Sequence, residues 1–169
     1  MKRKALAITL AAAMAMGTCA VTASAAADGD KYTIGICQLV QHEALDAATQ
    51  GFKDEVTKEL GEDAVTFDEQ NAQGDSNTCS TIINSFVSNN VDLILANATP
   101  ALQAAAAGTS DIPILGTSVT EYGVALGLDD FDGTVGGNIS GTADLAPLDQ
   151  QAAMLNELFP DAKNVGLLY

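Results

Sequence analysis

Val91-Asp92-Leu93-Ile94-Leu95-Ala96-Asn97-Ala98-Thr99-Pro100-Ala101 runs from an apolar strand into a polar turn and straight on into a helix start. Threonine is a plausible helix cap, and proline at the first helical position loses nothing by lacking an N–H. The Ala104-Ala105-Ala106-Ala107 run that follows lets such a helix lie close on a sheet. Strand, polar turn and helix in immediate succession form one unit of a doubly wound α/β domain, and the neighbouring segments repeat the unit.

Upstream, Tyr32-Thr33-Ile34-Gly35-Ile36-Cys37 is apolar enough for a central strand covered on both faces. In His42 to Leu60, Leu45, Ala48, Phe52 and Val56 recur at helical spacing, and Gly61 stands where a helix ends. Ala64-Val65-Thr66-Phe67-Asp68 reads as a more polar strand nearer an edge. The Gln70-Asn71-Ala72-Gln73-Gly74-Asp75 cluster follows it, and Asp75 or Ser76 can cap a helix carrying Cys79, Ile82, Ile83, Phe86 and Val87. Downstream, Ile112-Pro113-Ile114-Leu115 makes a fourth strand and Val124-Ala125-Leu126-Gly127-Leu128 a fifth. The expected fold is α/β: a mainly parallel, flavodoxin-like sheet of five strands with helices on both faces, over residues 31–128.

Composition then shifts. Residues 129–145, rich in Gly and Asp and including Gly136-Gly137-Asn138-Ile139-Ser140-Gly141, read as a connection between lobes. Residues 146–169 hold a helix, Leu148 to Phe159, and a strand, Asn164 to Tyr169. One helix and one strand cannot bury their own apolar faces. The expectation is therefore one complete lobe and the truncated opening of a second, with Leu155, Leu158, Phe159 and Leu167 left exposed.

Residues 1–25 have the form of a secretory signal peptide: basic Lys2-Arg3-Lys4, an apolar Ala5 to Met16, and a small-residue Ala23-Ser24-Ala25 site. Met16-Gly17-Thr18-Cys19 offers a competing lipoprotein reading with Cys19 lipidated, although Thr18 is a poor residue before such a cysteine. Either route exports the protein, to the periplasm or to the outer face of the cell membrane, with a lipid anchor as the one membrane contact. The 169-residue chain carries 7 basic and 22 acidic residues, net −15; removing Lys2, Arg3 and Lys4 leaves 4 against 22, net −18. Such a surface disfavours nucleic acid, whose binding needs Lys and Arg on phosphate. Cys37 and Cys79 lie in no CxxC pair, so zinc and redox motifs are absent. Two buried free thiols are the preferred reading over a disulfide, which export would permit.

These segments, taken in order, resemble the extracytoplasmic solute-binding proteins of tryptophan/tyrosine-type ABC uptake systems. The resemblance rests on Ile34-Gly35-Ile36, His42 with Ala44-Leu45-Asp46, Gly51-Phe52-Lys53 and Asn71-Ala72-Gln73-Gly74-Asp75. It continues through Asp92-Leu93-Ile94-Leu95-Ala96, Thr99-Pro100-Ala101, Ile112-Pro113-Ile114, Gly136-Gly137-Asn138 and Phe159-Pro160-Asp161-Ala162-Lys163 to Gly166-Leu167-Leu168-Tyr169. It implies the first lobe of a type I periplasmic-binding fold, an aromatic or other amino acid held in a cleft, and docking of the closed form on ABC permease subunits, as a monomer when full length. Where the family tends to read Val-Thr-Asp-Pro, this chain has Val119-Thr120-Glu121-Tyr122, placing a longer acid and an aromatic ring at the cleft edge.

In a parallel sheet every strand-to-helix loop emerges on one edge, so Gln38, Gln41, His42, Asn71, Gln73, Thr99, Thr117 and Thr120 should converge there. Helix starts at Gln41-His42, Asp75-Ser76 and Thr99-Pro100 are natural carboxylate sites. Asp144 or Glu121 could accept from an ammonium, and Tyr122 could cover a ring. No nucleophile is paired with a base, no metal-ligand set is visible, and the glycines near 133–141 lack GxGxxG spacing, so neither an enzyme nor a cofactor is expected. The competing functions are an exported sensory domain and, behind it, a doubly wound enzyme.

Overall fold

Alternation along Tyr32–Gln38 places Ile34 and Ile36 in one apolar cluster and Cys37 in another, and all three are buried. A strand covered on both faces belongs inside a sheet. The computed structural model describes residues 31–166 and puts this strand, β1, between two parallel neighbours. The signal-like segment 1–25, with Cys19, lies outside the described residues, as do Leu167, Leu168 and Tyr169.

The chain continues through α1 (Glu43–Leu60), a 3-10 turn, β2 (Val65–Asn71), α2 (Ser76–Ser88), β3 (Leu93–Asn97) and α3 (Thr99–Gly108). It then forms β4 (Ile114–Val119), α4 (Tyr122–Leu126), β5 (Ile139–Ala143) and α5 (Leu148–Leu158). The five strands form one sheet in the order β2-β1-β3-β4-β5, every pair parallel. On one face, α1 covers Ile34, Ile36 and Leu95 with Phe52 and Val56. On the other, α2, α3 and α4 pack Ile83, Phe86, Leu102 and Tyr122 against Cys37, Ile94, Ala96 and Ile114. This is the flavodoxin-like α/β sheet with helices on both faces that the periodicities predict.

Close approach of α2 to the sheet depends on Gly35. A methyl group there would stand 2.6 Å from the ring of the fully buried Phe86. Gly35→Ala should therefore cost roughly 1–3 kcal/mol through overpacking; a urea unfolding curve unchanged from the parent would show that the ring gives way.

The fifth strand is not where the sequence placed it. Val124–Leu128 was expected to be a strand, but Tyr122–Leu126 is helical and Val124 is 83% exposed. The reason is Glu121, whose carboxylate accepts from the N–H groups of Gly123 (2.8 Å) and Val124 (2.5 Å) and caps the helix. Gly127 then closes it with φ 64. Ile139–Ala143, inside the expected connection of residues 129–145, takes the edge position beside β4. Gly136 and Gly137, both at positive φ, return the chain to the sheet. The Asn138 amide fixes it there, donating to Thr109 O (3.2 Å) and Ile112 O (2.8 Å). Tyr122 is corrected too: it is 5% exposed, packs where Gly116 and Gly141 present bare backbone, and donates to Thr142 O at 3.3 Å.

Beyond β5, α5 forms where expected, and Leu155, Leu158 and Phe159 are 37%, 62% and 60% exposed. Residues 164–166 carry no strand, and the remainder of that expected strand, with Leu167, lies outside the described residues.

Candidate functional site

All five strands point the same way, so their carboxyl ends share one edge. The register puts Asn71, Gln38, Asn97 and Thr117 level with one another across β2, β1, β3 and β4. Chain direction reverses its progress across the sheet between β1 and β3, which opens a crevice at that edge. Gln41 and His42 leave β1 on one side of it; Thr99 leaves β3 on the other. Thr117 follows on β4 and Thr120 just past its end, and Asp144, whose N–H donates to Val119 O at 3.0 Å, stands just past β5. From β2 to β5 the rim spans about 19 Å at ordinary strand spacing. A single amino acid is shorter than that and can touch the middle of the row but not both ends.

Four helices begin on this rim behind β1 to β4, and three have a capping side chain in place; α5, which follows β5, starts at Pro147 without a side-chain cap but with Asp149 in its first turn. His42 Nδ1 accepts from Ala44 N (3.2 Å) at α1, whose first turn also holds Glu43 and Asp46. Asp75 accepts from Asn77 N (2.8 Å) at α2, and Glu121 caps α4. Carboxylates at or within these starts repel a second carboxylate. At α3 no side chain caps the N-terminus and the first turn has no acidic residue. The expectation that Thr99 serves as the cap is corrected: Ala98 holds that position, and Thr99 is the first helical residue, with its hydroxyl outside the capping role.

Ala98 has φ 92 and ψ 156, a conformation otherwise nearly confined to glycine, which costs on the order of 1–3 kcal/mol. It is held by its N–H on Thr117 O (2.9 Å) and by its carbonyl, which accepts from Leu102 N (3.1 Å). Gln73 and Ser118 also adopt positive φ, each just past or at the end of a strand on the same rim. Two further residues at positive φ, Asn90 after α2 and Asp130 after α4, lie away from the strand ends. The Asn71 side chain closes its own turn, Oδ1 accepting from Gln73 N at 2.8 Å.

Gln38 sits differently from its expected place on an open rim. It is 4% exposed, and its amide donates to Asp46 Oδ1 (2.6 Å) and Val40 O (3.0 Å) while accepting from Thr49 Oγ1 (2.7 Å). Asn97, which the sequence reading passed over, completes the network. Its Nδ2 donates to Leu45 O (2.8 Å) and Thr49 Oγ1 (2.9 Å) and lies 3.5 Å from Gln38 Oε1. Its Oδ1 is buried without a partner among the described residues. The signal was a polar residue ending an otherwise apolar strand. Gln38 and Asn97 hold the start of α1, and with it Gln41 and His42, against the sheet.

Two concavities flank the crevice. One of about 450 Å³ lies against β5, walled by Tyr122, Phe131, Val135 and Leu145, with Thr120 at its border. Burial, and then the nearby Asp144 carboxylate, push the Tyr122 phenol above its ordinary pKa there. The other, about 340 Å³, is an apolar groove on the α1 face lined by Ala48, Phe52, Leu95, Leu115 and Thr117. The larger concavity has no helix start free to meet an anion. The crevice at α3 does, and we place the candidate site there. Among the described residues, no group of three His, Cys, Asp or Glu side chains is placed to hold a metal ion.

Comparison with known proteins bears on this geometry. Residues 33–169 match the family described as ABC transporter substrate binding protein. A tyrosine-binding protein of Clostridioides difficile is 43% identical over 140 residues, 80% of this chain and 40% of that one. The ligand-free, open structure of a substrate binding protein with adhesive properties from Clostridium difficile is 42% identical, with a TM-score of 0.68 over 78% of this chain and 45% of that one. An ABC domain in complex with L-Trp from Streptococcus pneumoniae is 32% identical, with a TM-score of 0.70 over 78% and 45%. The chain spans less than half the length of each of these relatives.

Proposed function

The chain belongs to the ABC transporter substrate binding protein family, and from that premise we propose that it forms one wall of an extracytoplasmic or surface-attached receptor that takes an aromatic amino acid for an ABC importer. The observation that carries the reading is the N-terminus of α3. Alone among the four rim helices it is free of both a capping side chain and acidic residues, and its first-turn N–H groups and dipole favour a carboxylate. The Thr99 hydroxyl adds a donor beside them, with Gln41, His42 and Thr117 around the crevice and Asn71, Gln73 and Thr120 further along the rim. Asp144 lies two strands from β3, about 10 Å. That is too far to accept from the ammonium of a ligand whose carboxylate rests on α3, but within reach of the far end of a long aromatic side chain. Such a ring would lie across the strand ends towards β4 and β5, and the remaining length seen in the relatives would supply the facing wall and the permease contact.

The site is built for holding rather than for chemistry. His42, the chain's one histidine, uses Nδ1 as a helix cap, and Cys37 and Cys79 are wholly buried. The test is a thermal-shift series of the full-length protein against the amino acids. Tyrosine or tryptophan at about a hundred times its Kd should add roughly 2.7 kcal/mol to native stability, and aliphatic amino acids less. A midpoint that no aromatic amino acid moves would defeat the proposal.

A further inference from the structure

We propose that Cys37 and Cys79 form a dithiol that closes to a disulfide fastening α2 to the end of β1, directly beneath the β2–α2 turn of the rim. Cys37 is the next-to-last residue of β1, and Cys79 lies one turn inside α2. Both belong to one apolar cluster and neither has any exposed surface, and on the same face of β1 Gly35 lies against Phe86, two helical turns along α2 from Cys79. The surrounding backbone fixes this packing. Ala72 N–H donates to Gln38 O and Gly74 N–H to Leu39 O, both at 2.8 Å, which lays the turn before α2 onto the chain leaving β1. Cys79 N–H then donates to Asp75 O at 3.1 Å, closing the first turn of α2.

The closed loop would run from 37 to 79 and so enclose α1, β2 and the Asn71–Asp75 turn. Cross-linking a loop of that length removes much freedom from the unfolded chain. The oxidant is a small-molecule disulfide of the glutathione class. One cysteine loses its proton and attacks that disulfide, forming a mixed disulfide and releasing one thiolate. The second cysteine, also deprotonated, attacks the protein sulfur of the mixed disulfide and releases the other thiolate. Two protein thiols are oxidised, one disulfide is reduced to two thiols, and the two protons pass to the leaving thiolates. Burial pushes both thiols above their ordinary pKa, which disfavours the attacking thiolate in the packed protein. Closure therefore belongs to folding, before α2 settles on the sheet.

The experiment unfolds and reduces the protein, refolds it in a buffer of oxidised and reduced glutathione, and blocks residual thiols before a tryptic digest without reductant. The expected product joins peptide 32–53 to peptide 59–163 and separates on reduction, and the refolded protein melts roughly 5–10 °C above its reduced form. Recovery of both cysteines blocked and unlinked overturns the proposal, as does linkage of either to Cys19 or to glutathione alone. A Cys37–Cys79 link that leaves the melting midpoint unmoved overturns the claim that the bond fastens this part of the lobe.

Discussion

Thr99→Val in the full-length protein is expected to weaken binding of an aromatic amino acid roughly 10- to 100-fold while leaving stability within about 0.5 kcal/mol of the parent. The first figure is the worth of one hydrogen bond to a charged group, about 1.5–3 kcal/mol, lost without change of shape because valine replaces the hydroxyl by a methyl. The second follows from where the helix starts. Were Thr99 the cap, its loss would cost about 1 kcal/mol of stability. Ala98 is the cap residue instead, and no side chain serves α3 there. Binding and stability therefore separate at this position. Calorimetric titration beside a chemical unfolding curve measures both, and an unchanged affinity would take Thr99 out of the site.

How far this was visible in the sequence depends on what each residue has to satisfy. The strands β1 and β3 are legible because both faces are buried and nearly every side chain must be apolar. The edge strand β5 is not, because Ile139-Ser140-Gly141-Thr142-Ala143 is held by backbone pairing with β4 and only Ile139 packs on the core. Its glycines look like a linker, yet Gly141 lies where Gly116 and the Tyr122 hydroxyl leave no room for a side chain. Tyr122 misleads in the opposite sense. An aromatic ring after a rim strand suggests a ligand wall, and the Glu121 cap instead winds it into a helix that buries it.

The rim itself was readable as polar clusters after apolar runs. What the pattern could not convey is the direction each polar group takes. Gln38 and Asn71 both end strands and stand level in the register, yet Asn71 closes an exposed turn while Gln38 turns under α1. That difference comes from position in the sheet. β2 is an edge strand, whereas β1 has α1 directly above its end, so a polar side chain there is buried and must find partners. The same reasoning shows which helix starts are open. Asp75 and Glu121 are recognisable caps, but a histidine accepting through Nδ1 and an alanine in a glycine-like conformation are not.

The largest loss of stability is expected at Asn97. It has no exposed surface, and one amide nitrogen serves Leu45 O and Thr49 Oγ1 while facing Gln38 Oε1. Asn97→Ala removes that donor and takes one hydrogen bond each from Leu45 O and Thr49 Oγ1 of α1, leaving Gln38 Oε1 only its bond from Thr49 Oγ1, at a cost of about 3 kcal/mol. Asn97→Asp keeps the shape but sets a second carboxyl oxygen where the donor was, against three oxygens and away from water. It should be the more damaging of the two at pH 7. Its cost should also depend on pH in a definite direction. Burial and the facing oxygens favour the protonated carboxyl, so its folded pKa stands above the unfolded value of about 3.9. Between those two values the folded protein binds a proton that the unfolded chain has released, so stability rises as pH falls. The deficit of Asn97→Asp relative to the parent should therefore narrow from pH 7 to pH 5, whereas that of Asn97→Ala should stay constant. Urea unfolding of the three proteins at both values measures it. If both variants lie within about 1 kcal/mol of the parent at pH 7, the network does not hold α1 to the sheet, and the placing of Gln41 and His42 beside the open end of α3 needs another cause.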